Sequence, residues 1–265
     1  GIGGYSALDY LIKVKEMPFM QAVETIMGNV AVSPPTYMPA QKEQKPKVLL
    51  LPKANRCATH AVEYLHGRGI DYDLIDFCIS TGRLYESYPY HNVVFVGQDR
   101  RNKPRYANLR GIGSDFIGDA NGSDKHYSFG IPAAFESDTL NLFESAVDLL
   151  SYGTMQKLDG KDWRHENLLS LAGVYKPKAR IEESSLPVAL VQYLADYPHI
   201  RKVVLRLDND PAGRIAAATI KNLLTKRYAV TVDIQPSPQG KDYNDCLCLR
   251  LGLPITKRKE RSKER

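Results

Sequence analysis

The sequence of 265 residues is poor in cysteine: it contains four, and no two of them form a Cys-x-x-Cys pair. It also shows no signal peptide and no long apolar span. These absences argue against a secreted or membrane-spanning protein. We therefore expect a soluble chain in the cytoplasm, with no membrane partner.

Cys57 stands three positions before His60, a spacing that resembles the ligand spacing of zinc sites. Nothing else in the sequence completes a tetrahedral set of ligands around this pair. We therefore expect no zinc among these 265 residues. Two other cysteines, Cys246 and Cys248, are expected to pack along the final helix.

What the sequence does contain is enough apolar residues for a substantial core, since 43% are hydrophobic. Its length suits one large or two modest domains, and we favour two. The formal net charge of +6 suits a polyanionic partner without requiring one. Five basic residues fall in one short stretch: Arg100, Arg101, Lys103, Arg105 and Arg110. A basic region beside an acidic metal centre is the arrangement that a nucleic-acid enzyme needs.

The most informative motif is 207–213, where the apolar run 202–207 ends at Asp208 and Asp210. Side chains alternate in an extended segment, so these two carboxylates point the same way and repel each other. Such a pair is tolerable only if one acid is protonated or if a cation lies between them, and Mg²⁺ is the natural cation for oxygen ligands. The alternative is that Asp208 caps a helix that begins near Pro211.

Two further acidic segments favour the metal site. The apolar segment 139–143 ends at Glu144, and Asp148 follows four residues later, on the same face of a predicted helix. An acidic turn with Asp242 and Asp245 follows the last strand-like segment. Because ligands bind at the carboxyl ends of the strands in open α/β sheets, we expect these acids to meet there.

In this order, the three segments resemble the TOPRIM domain that DnaG-type primases, topoisomerases and some nucleases share. Segment 143–148 is similar to its glutamate motif, 207–213 to its Asp-x-Asp motif and 241–245 to its last acidic loop. The match covers about residues 135 to 250. The chain as a whole most resembles primase-like proteins of mobile genetic elements, in which a domain of unknown function precedes a Toprim-like domain.

The resemblance implies an α/β fold with a Rossmann-like, mainly parallel Toprim sheet, preceded by a smaller basic α+β subdomain. The expected segments are a helical tail of a zinc-ribbon domain at 1–31, a linker at 32–52, the basic subdomain at 53–132, the TOPRIM domain at 133–252 and a charged tail at 253–265. The first residue is Gly1 rather than Met, which suggests a fragment, and the zinc ligands are expected before it.

The apolar patterns predict individual elements in both domains. In the basic subdomain we expect helices at 58–68 and 73–80 and strands near 93–97 and 104–110. In the TOPRIM domain we expect strands near 139–143, 202–207 and 229–234, and helices near 145–153, 186–197, 211–226 and 244–250. Segment 157–185 is interpreted as an insertion.

The resemblance also implies a function: a DNA primase, a Mg²⁺- or Mn²⁺-dependent nucleotidyltransferase that makes RNA primers on single-stranded DNA for replication of a mobile element. The implied catalytic residues and metal ligands are Glu144, Asp208 and Asp210, with Asp148, Asp242 and Asp245 as further metal ligands; Glu144 is alternatively a general base. The implied nucleic-acid-binding residues are Arg105, Arg110, Lys125 and Lys241. The expected partners are single-stranded DNA, ribonucleotides and a replicative helicase.

Two other functions remain open. TOPRIM nucleases and topoisomerases use the same acids to break phosphodiester bonds, although a topoisomerase needs a nucleophilic Tyr on a further domain that the sequence does not show. The second is a non-catalytic DNA-binding module in which the acidic cluster is structural. A phosphatase with Asp208 as its nucleophile is disfavoured, because Pro211 and the small residues after it replace the expected Thr or Val.

Overall fold

A computed structural model of the chain describes residues 6–28, 48–171, 173, 175–178 and 183–255. Its contacts divide the chain into two units, Gly1–Lys45 and Pro46–Arg265. Most of the predicted linker, and the predicted tail from residue 256 onward, lie outside the described residues. None of the helices in the described part combines the length and the apolar character needed to span a bilayer.

The first unit contains two short helices, α1 at Ala7–Lys13 and α2 at Phe19–Gly28. Ser6 caps α1, because its hydroxyl accepts a hydrogen bond from the backbone N–H of Asp9 at 3.2 Å. Two helices are compatible with the expected tail of a zinc-ribbon domain. That assignment stays a prediction, as do the expected domain boundaries.

The second unit begins with two helices and an antiparallel sheet. The helices are α3 (Thr59–Gly67) and α4 (Tyr72–Ser80). The strands are β1 (Leu84–Glu86), β2 (Val93–Gln98), β3 (Pro104–Arg110) and β4 (Ile117–Asp119), and they lie side by side in chain order. The predicted helices and the strands β2 and β3 are present. The strands β1 and β4 have three residues each, too few to show an alternating pattern.

A five-stranded, mainly parallel sheet follows. Its strands are β5 (Gly130–Ile131), β6 (Thr139–Phe143), β7 (Asn167–Ser170), β8 (Lys202–Arg206) and β9 (Thr231–Ile234). Their order is β5-β7-β6-β8-β9, with β5 antiparallel to β7 and all other neighbours parallel. The predicted α/β class, with a mainly parallel sheet after an α+β region, is confirmed.

Strand β7 corrects the interpretation of segment 157–185 as an insertion. It lies inside the sheet, between β5 and β6, and all four of its residues are buried. Four residues with the sequence Asn-Leu-Leu-Ser do not show a period of two, so the sequence pattern does not distinguish them from a loop. Their place in the sheet is visible only from the strands on either side.

Four helices cover both faces of this sheet: α5 (Ala146–Leu158), α6 (Val188–Asp196), α7 (Pro211–Arg227) and α8 (Tyr243–Leu251). Side chains of β6 alternate between two cores. Leu140 and Leu142 pack with α6 and α7, whereas Phe143 packs with α5 and with Tyr243 of α8. All four helices are predicted by the sequence pattern, with ends that differ by a few residues.

Candidate metal centre

The Asp-x-Asp motif lies at the carboxyl end of β8, in the loop that leads to α7. Asp208 is buried, with 6% of its surface exposed. Asp210 is the N-cap of α7, and its Oδ1 atom accepts a hydrogen bond from the N–H of Gly213 at 2.8 Å. The capping role therefore belongs to Asp210 rather than to Asp208, and it leaves the other oxygen of Asp210 for a cation.

Gly213 has a steric role beside the motif. A β-carbon at this position would lie 2.1 Å from the backbone oxygen of Asp208. No side chain fits at that distance, so glycine is required where α7 starts directly against the backbone of the motif. This close approach explains the glycine at the end of the segment 207–213.

The cation between the two acids of the motif is the ammonium group of Lys241. Its Nζ atom lies 3.3 Å from Oδ2 of Asp208 and 3.2 Å from Oδ2 of Asp210. Burial acts to lower the pKa of Lys241, but the charges and hydrogen bonds of both carboxylates outweigh it and raise the pKa. The pKa of Asp208 is also raised, by burial first, because Lys241 compensates it only in part.

The acidic loop before α8 is joined to the Asp-x-Asp loop through the backbone. The N–H of Asn209 donates to the carbonyl oxygen of Lys241 at 2.7 Å. Asp242 is the N-cap of α8 and accepts from the N–H of Asp245 at 2.8 Å. The carboxylate of Asp245 accepts from the N–H of Lys241 at 3.1 Å, and burial together with the charge of Asp242 raises its pKa.

Asp148 lies in the first turn of α5 with only 7% of its surface exposed. Ser145 caps this helix by accepting from the N–H of Asp148 at 3.2 Å, and the N–H of Asn244 donates to Asp148 Oδ1 at 3.3 Å. Burial raises the pKa of Asp148 to about 8, and the charges of Asp242 and Asp208 act in the same direction. Asp148 therefore retains a proton near neutral pH when no cation is added.

Glu144 follows β6, and the pairing of Phe143 with Arg206 places it level with the residue before Asp208. Its side chain is half-buried. Among the described residues, no three of the six predicted acids bring their carboxylate oxygens within 4.8 Å of one another. The acids thus lie around one edge of the sheet, but they are spaced more widely than the ligands of a single ion.

The donor set suits a hard cation. Every acid in the centre offers carboxylate oxygens, the donors that Mg²⁺ prefers. Burial first, and then the charges of neighbouring acids, raise the pKa values of Asp148 and Asp208, so a cation beside these carboxylates is favourable. Mg²⁺ binds proteins through one or two carboxylates and keeps waters or phosphates as its other ligands. The pair Asp208 and Asp210 fits that requirement without a closer approach of the other acids.

Sequence comparison with known families classifies this region. Residues 141–247 match the family described as Toprim-like. The chain contains a Toprim-like domain. Residues 63–134 match a family described as a protein of unknown function, DUF3991. The order of the two matches confirms that a domain of unknown function precedes the Toprim-like domain.

Several solved primase structures are similar to the chain. The primase fragment of the bacteriophage T7 primase-helicase is 14% identical, with a TM-score of 0.47 over 71% of this chain and 69% of that one. The E. coli primase catalytic core is 16% identical, with a TM-score of 0.48 over 74% and 70%. The RNA polymerase domain of Mycobacterium tuberculosis DnaG is 14% identical, with a TM-score of 0.49 over 73% and 72%. No curated protein matches the chain significantly in sequence.

Three of the four predicted nucleic-acid-binding cations contact carboxylates of the chain itself. Arg105 lies 3.2 Å from Asp124 and Lys125 lies 3.0 Å from Asp119. Lys241 lies between Asp208 and Asp210. Ion pairs of exposed side chains contribute about 0–1 kcal/mol. The exposed pair of Lys125 is therefore weak enough to be exchanged for a contact with a phosphate, whereas Arg105 also contacts Asp99 at 3.5 Å and lies over the ring of Tyr127.

The fourth cation, Arg110, belongs to a polar chain that leads into the Toprim-like domain. Its Nε atom donates to the hydroxyl of Tyr64 at 3.2 Å, and Arg68 donates to the same hydroxyl at 3.3 Å. Arg68 also donates to the side chain of Asn244 at 2.5 Å, and the N–H of Asn244 donates to Asp148. The sequence pattern does not indicate Arg68 or Asn244, because their contact joins positions 176 residues apart.

Arg206, the last residue of β8, is a further functional candidate that the sequence pattern does not indicate. Its guanidinium carbon lies 4.2 Å from the centroid of the Tyr152 ring, a cation–π contact. It also donates to the hydroxyl of Tyr243 at 2.8 Å and to the side chain of Asn141 at 2.7 Å. Arg206 lines a cleft of about 420 Å³. The one local signal is a cation that directly follows three apolar residues of the strand.

Proposed function

We propose that the chain is a DnaG-type DNA primase, which synthesises RNA primers on single-stranded DNA for the replication of a mobile element. One observation carries the proposal: Asp208 and Asp210 follow an interior strand of a Toprim-like domain and share one cation position, which Lys241 fills. Two carboxylates around one cation position are what metal-dependent phosphoryl transfer requires.

In this proposal, the residues that hold Mg²⁺ or Mn²⁺ are Glu144, Asp208 and Asp210, with Asp148, Asp242 and Asp245 as further ligands. When bound, the metal supplies positive charge that activates the primer 3'-hydroxyl and stabilises the departing pyrophosphate. The chain holds the ligands in position beforehand. Helix capping orients Asp210, and burial with the close approach of Gly213 fixes Asp208.

Lys241 has two successive roles in this proposal. The ammonium group of Lys241 would have to leave the position between Asp208 and Asp210 if a divalent cation, with twice its charge, were to bind there. The side chain of Lys241 is 43% exposed and has a flexible stem. Once displaced, it binds a phosphate of the template or the nucleotide.

The region before the Toprim-like domain supplies the template contacts. Arg105, Arg110 and Lys125 bind phosphates of single-stranded DNA, in exchange for the partners they have within the chain. The net charge of +6 favours the encounter with a polyanion. Ribonucleotides are the substrates, and a replicative helicase that exposes single-stranded DNA is the partner class that such an enzyme requires.

Incorporation of labelled ribonucleotides on single-stranded DNA, with Mg²⁺ or Mn²⁺, tests the proposal. The double variant Asp208→Asn, Asp210→Asn is expected to lose activity by on the order of 1000-fold, because both ligand charges are removed. Asp233→Asn is the matched control. It removes an acid of β9 that is paired with Lys202 at 2.8 Å, and full activity is expected.

Calorimetric titration with Mg²⁺ separates an enzyme from a non-catalytic DNA-binding module. The wild-type chain is expected to bind Mg²⁺ and the double variant is not. The absence of any heat of Mg²⁺ binding in the wild type would contradict a metal centre. Nicking of supercoiled plasmid without primer synthesis would assign the same acids to phosphodiester cleavage, as in a Toprim nuclease.

A further inference from the structure

A second cluster of metal-ligating side chains lies in the antiparallel sheet, apart from the acids of the Toprim-like domain. It consists of His60 in the first turn of α3, Glu86 at the end of β1 and His91 in the following loop. One ligand atom of each residue lies within 4.8 Å of those of the other two. No other three His, Cys, Asp or Glu side chains in the described part of the chain meet this distance.

The two histidines approach the same carboxylate oxygen. Oε1 of Glu86 lies 2.5 Å from Nδ1 of His91 and 3.1 Å from Nδ1 of His60. The centroids of the two imidazole rings are 4.6 Å apart. With zinc–ligand bonds of about 2.0–2.2 Å, neighbouring ligand atoms lie about 3–3.5 Å apart. The Glu86–His60 distance already matches this spacing, whereas the ring of His91 has to move away from Glu86 by about 0.5–1 Å to admit an ion.

Neighbouring polar groups hold the carboxylate of Glu86 in place. Its side chain has no exposed surface. Oε2 accepts from the N–H of Ala61 at 3.0 Å, and Oε1 accepts from the side-chain amide of Asn55 at 2.9 Å. Outer hydrogen bonds of this kind orient the ligands of metal sites. The Glu86 carboxylate is thus held in one orientation by these hydrogen bonds.

The loop that carries His91 is closed by its own backbone. The N–H of His91 donates to the carbonyl of Ser87, and the N–H of Ser87 donates to the carbonyl of Asn92, both at 2.9 Å. His91 has a φ of 53°, in the left-handed region that non-glycine residues seldom adopt. Backbone conformations of this kind recur at functional sites. Here the strained residue is itself one of the three potential ligands.

The cluster faces the protein on one side and solvent on the other. The side chains of His60 and His91 are 56% and 42% exposed. Two imidazoles, one carboxylate and an open position form a ligand set that Zn²⁺ takes in catalytic sites, whereas Mg²⁺ prefers oxygen ligands throughout. We propose that His60, Glu86 and His91 bind one transition-metal ion of the Zn²⁺ class, with a coordination position open to solvent. This site is separate from the six acids of the Toprim-like domain, which we call the acidic centre.

Cys57 is not a ligand in this proposal, although its spacing from His60 resembles that of zinc ligands. Its sulfur accepts a hydrogen bond from the Thr59 hydroxyl at 3.4 Å. It does not belong to the group of described ligand atoms that lie within 4.8 Å of one another. The ligands that complete a set with His60 come from β1 and the loop after it, not from the neighbouring sequence, and for this reason the proposal departs from the expectation that no zinc binds to these 265 residues.

A metal titration of the full chain, stripped with chelator, tests the proposal. The Asp208→Asn, Asp210→Asn background removes the contribution of the acidic centre. Co²⁺ is followed by visible absorption and Zn²⁺ by calorimetry, and one equivalent of each is expected to bind. Adding His91→Asn or Glu86→Gln is expected to weaken binding by on the order of 100-fold. Asn tolerates the left-handed backbone of position 91, so the loop is preserved.

Two matched controls accompany the ligand variants. His165→Ala removes a histidine that stacks on the Phe135 ring elsewhere in the chain, and Cys57→Ser removes the neighbouring thiol; neither is expected to change metal affinity. Thermal unfolding without metal verifies that each variant is folded. The proposal is overturned if the folded chain binds neither metal, if His91→Asn binds as tightly as the background protein, or if Cys57→Ser loses the binding.

Discussion

Two buried carboxylates of this protein, Glu86 and Asp148, have pKa values that are shifted in opposite directions from those of ordinary acids. Burial acts to raise the pKa of both. In Glu86, hydrogen bonds from His91, from the backbone of Ala61 and from two further side chains outweigh burial and lower the pKa to about 2. In Asp148, neighbouring acids add to burial, and the pKa is raised to about 8.

The difference shows that the partners of a buried acid, rather than its burial, decide whether it is charged. Donors surround Glu86, which is ionised without an added cation. Asp148 has two donors, Ser145 and Asn244, but it also faces the charges of Asp242 and Asp208. The acids around Asp148 repel one another, so a bound cation stabilises them. Glu86 is a single carboxylate beside two imidazoles, and it is available as a metal ligand without such a cation.

Removal of Glu86 is expected to have the largest effect. Glu86→Ala leaves the N–H of Ala61 and the amide of Asn55 without their acceptor, and we expect a loss of about 3 kcal/mol in the free energy of unfolding at pH 7. The folded-state pKa of about 2 lies below the usual 4.5, so this stabilisation is present above pH 4.5 and is lost as the pH falls toward 2. Denaturant unfolding in the presence of chelator measures it.

Glu63→Ala on the exposed face of α3 is the control for Glu86→Ala, and a change within about 0.5 kcal/mol is expected. Equal losses of unfolding free energy in the two variants would show that the hydrogen bonds to Glu86 do not stabilise the fold. So would a difference between wild type and Glu86→Ala that persists unchanged at pH 2.

Asp148→Asn is expected to have the opposite sign. The folded-state pKa of about 8 lies above the usual 3.8, so the metal-free wild type loses stability as the pH rises from about 4 toward 8. At pH 8 the variant is expected to be more stable than wild type by on the order of 1–3 kcal/mol, with little difference near pH 4. Thermal unfolding with and without Mg²⁺ tests this, and Mg²⁺ is expected to stabilise wild type more at pH 8 than at pH 5.

The control for Asp148→Asn is Asp76→Asn, which changes an exposed acid of α4 in the same way. No pH-dependent gain is expected from it. A wild type whose stability is flat between pH 4 and pH 8 would show that Asp148 is not held in the protonated form.

Lys241→Met is expected to have a smaller effect and to separate two roles of one side chain. Without the competing ammonium group between Asp208 and Asp210, Mg²⁺ is expected to bind about 3–10-fold more tightly. Primer synthesis is expected to fall, because the phosphate contact is lost. Calorimetry and the incorporation assay measure the two effects. Lys221→Met, on the exposed face of α7, is the control, and weaker Mg²⁺ binding in Lys241→Met would contradict the competition.

Lys125→Ala is expected to have the smallest effect. Its pair with Asp119 is exposed, so the free energy of unfolding is expected to change by less than about 0.5 kcal/mol. If Lys125 binds a phosphate, the slope of affinity for single-stranded DNA against salt decreases by about 0.7. Filter binding at several salt concentrations measures that slope. Lys226→Ala, at the end of α7, is expected to leave it unchanged; equal slopes in both variants would exclude Lys125 from the contact.

In the acidic centre, sequence patterns predict where the two acids of the Asp-x-Asp motif lie but not which residue they contact. Alternation along an apolar run and the signals of a helix start place Asp208 and Asp210 at a strand end, which is where the structure has them. Neither pattern indicates that Lys241 lies between them, since that contact depends on how two loops meet. The roles of these residues in metal binding stay predictions.

The strands also divide into those that the sequence pattern predicts and those that it does not. The five-residue strands β6 and β8, each with three apolar residues, are predicted at or within one residue of their observed ends. The four residues of β7 and the two of β5 carry no readable period, although β7 is interior to the sheet. Short strands are defined by hydrogen bonds to their neighbours, which a single segment of sequence does not contain.

By itself, the sequence determined the α/β class and the order of the acidic segments, because strand alternation and helix capping act within a few neighbouring positions. Only the tertiary structure decided which charges meet. It brings Lys241 to Asp208, and it brings His60 to Glu86, 26 positions away. Whether a buried acid is ionised depends on the donors and charges gathered around it in space, and those come from segments far apart in the chain.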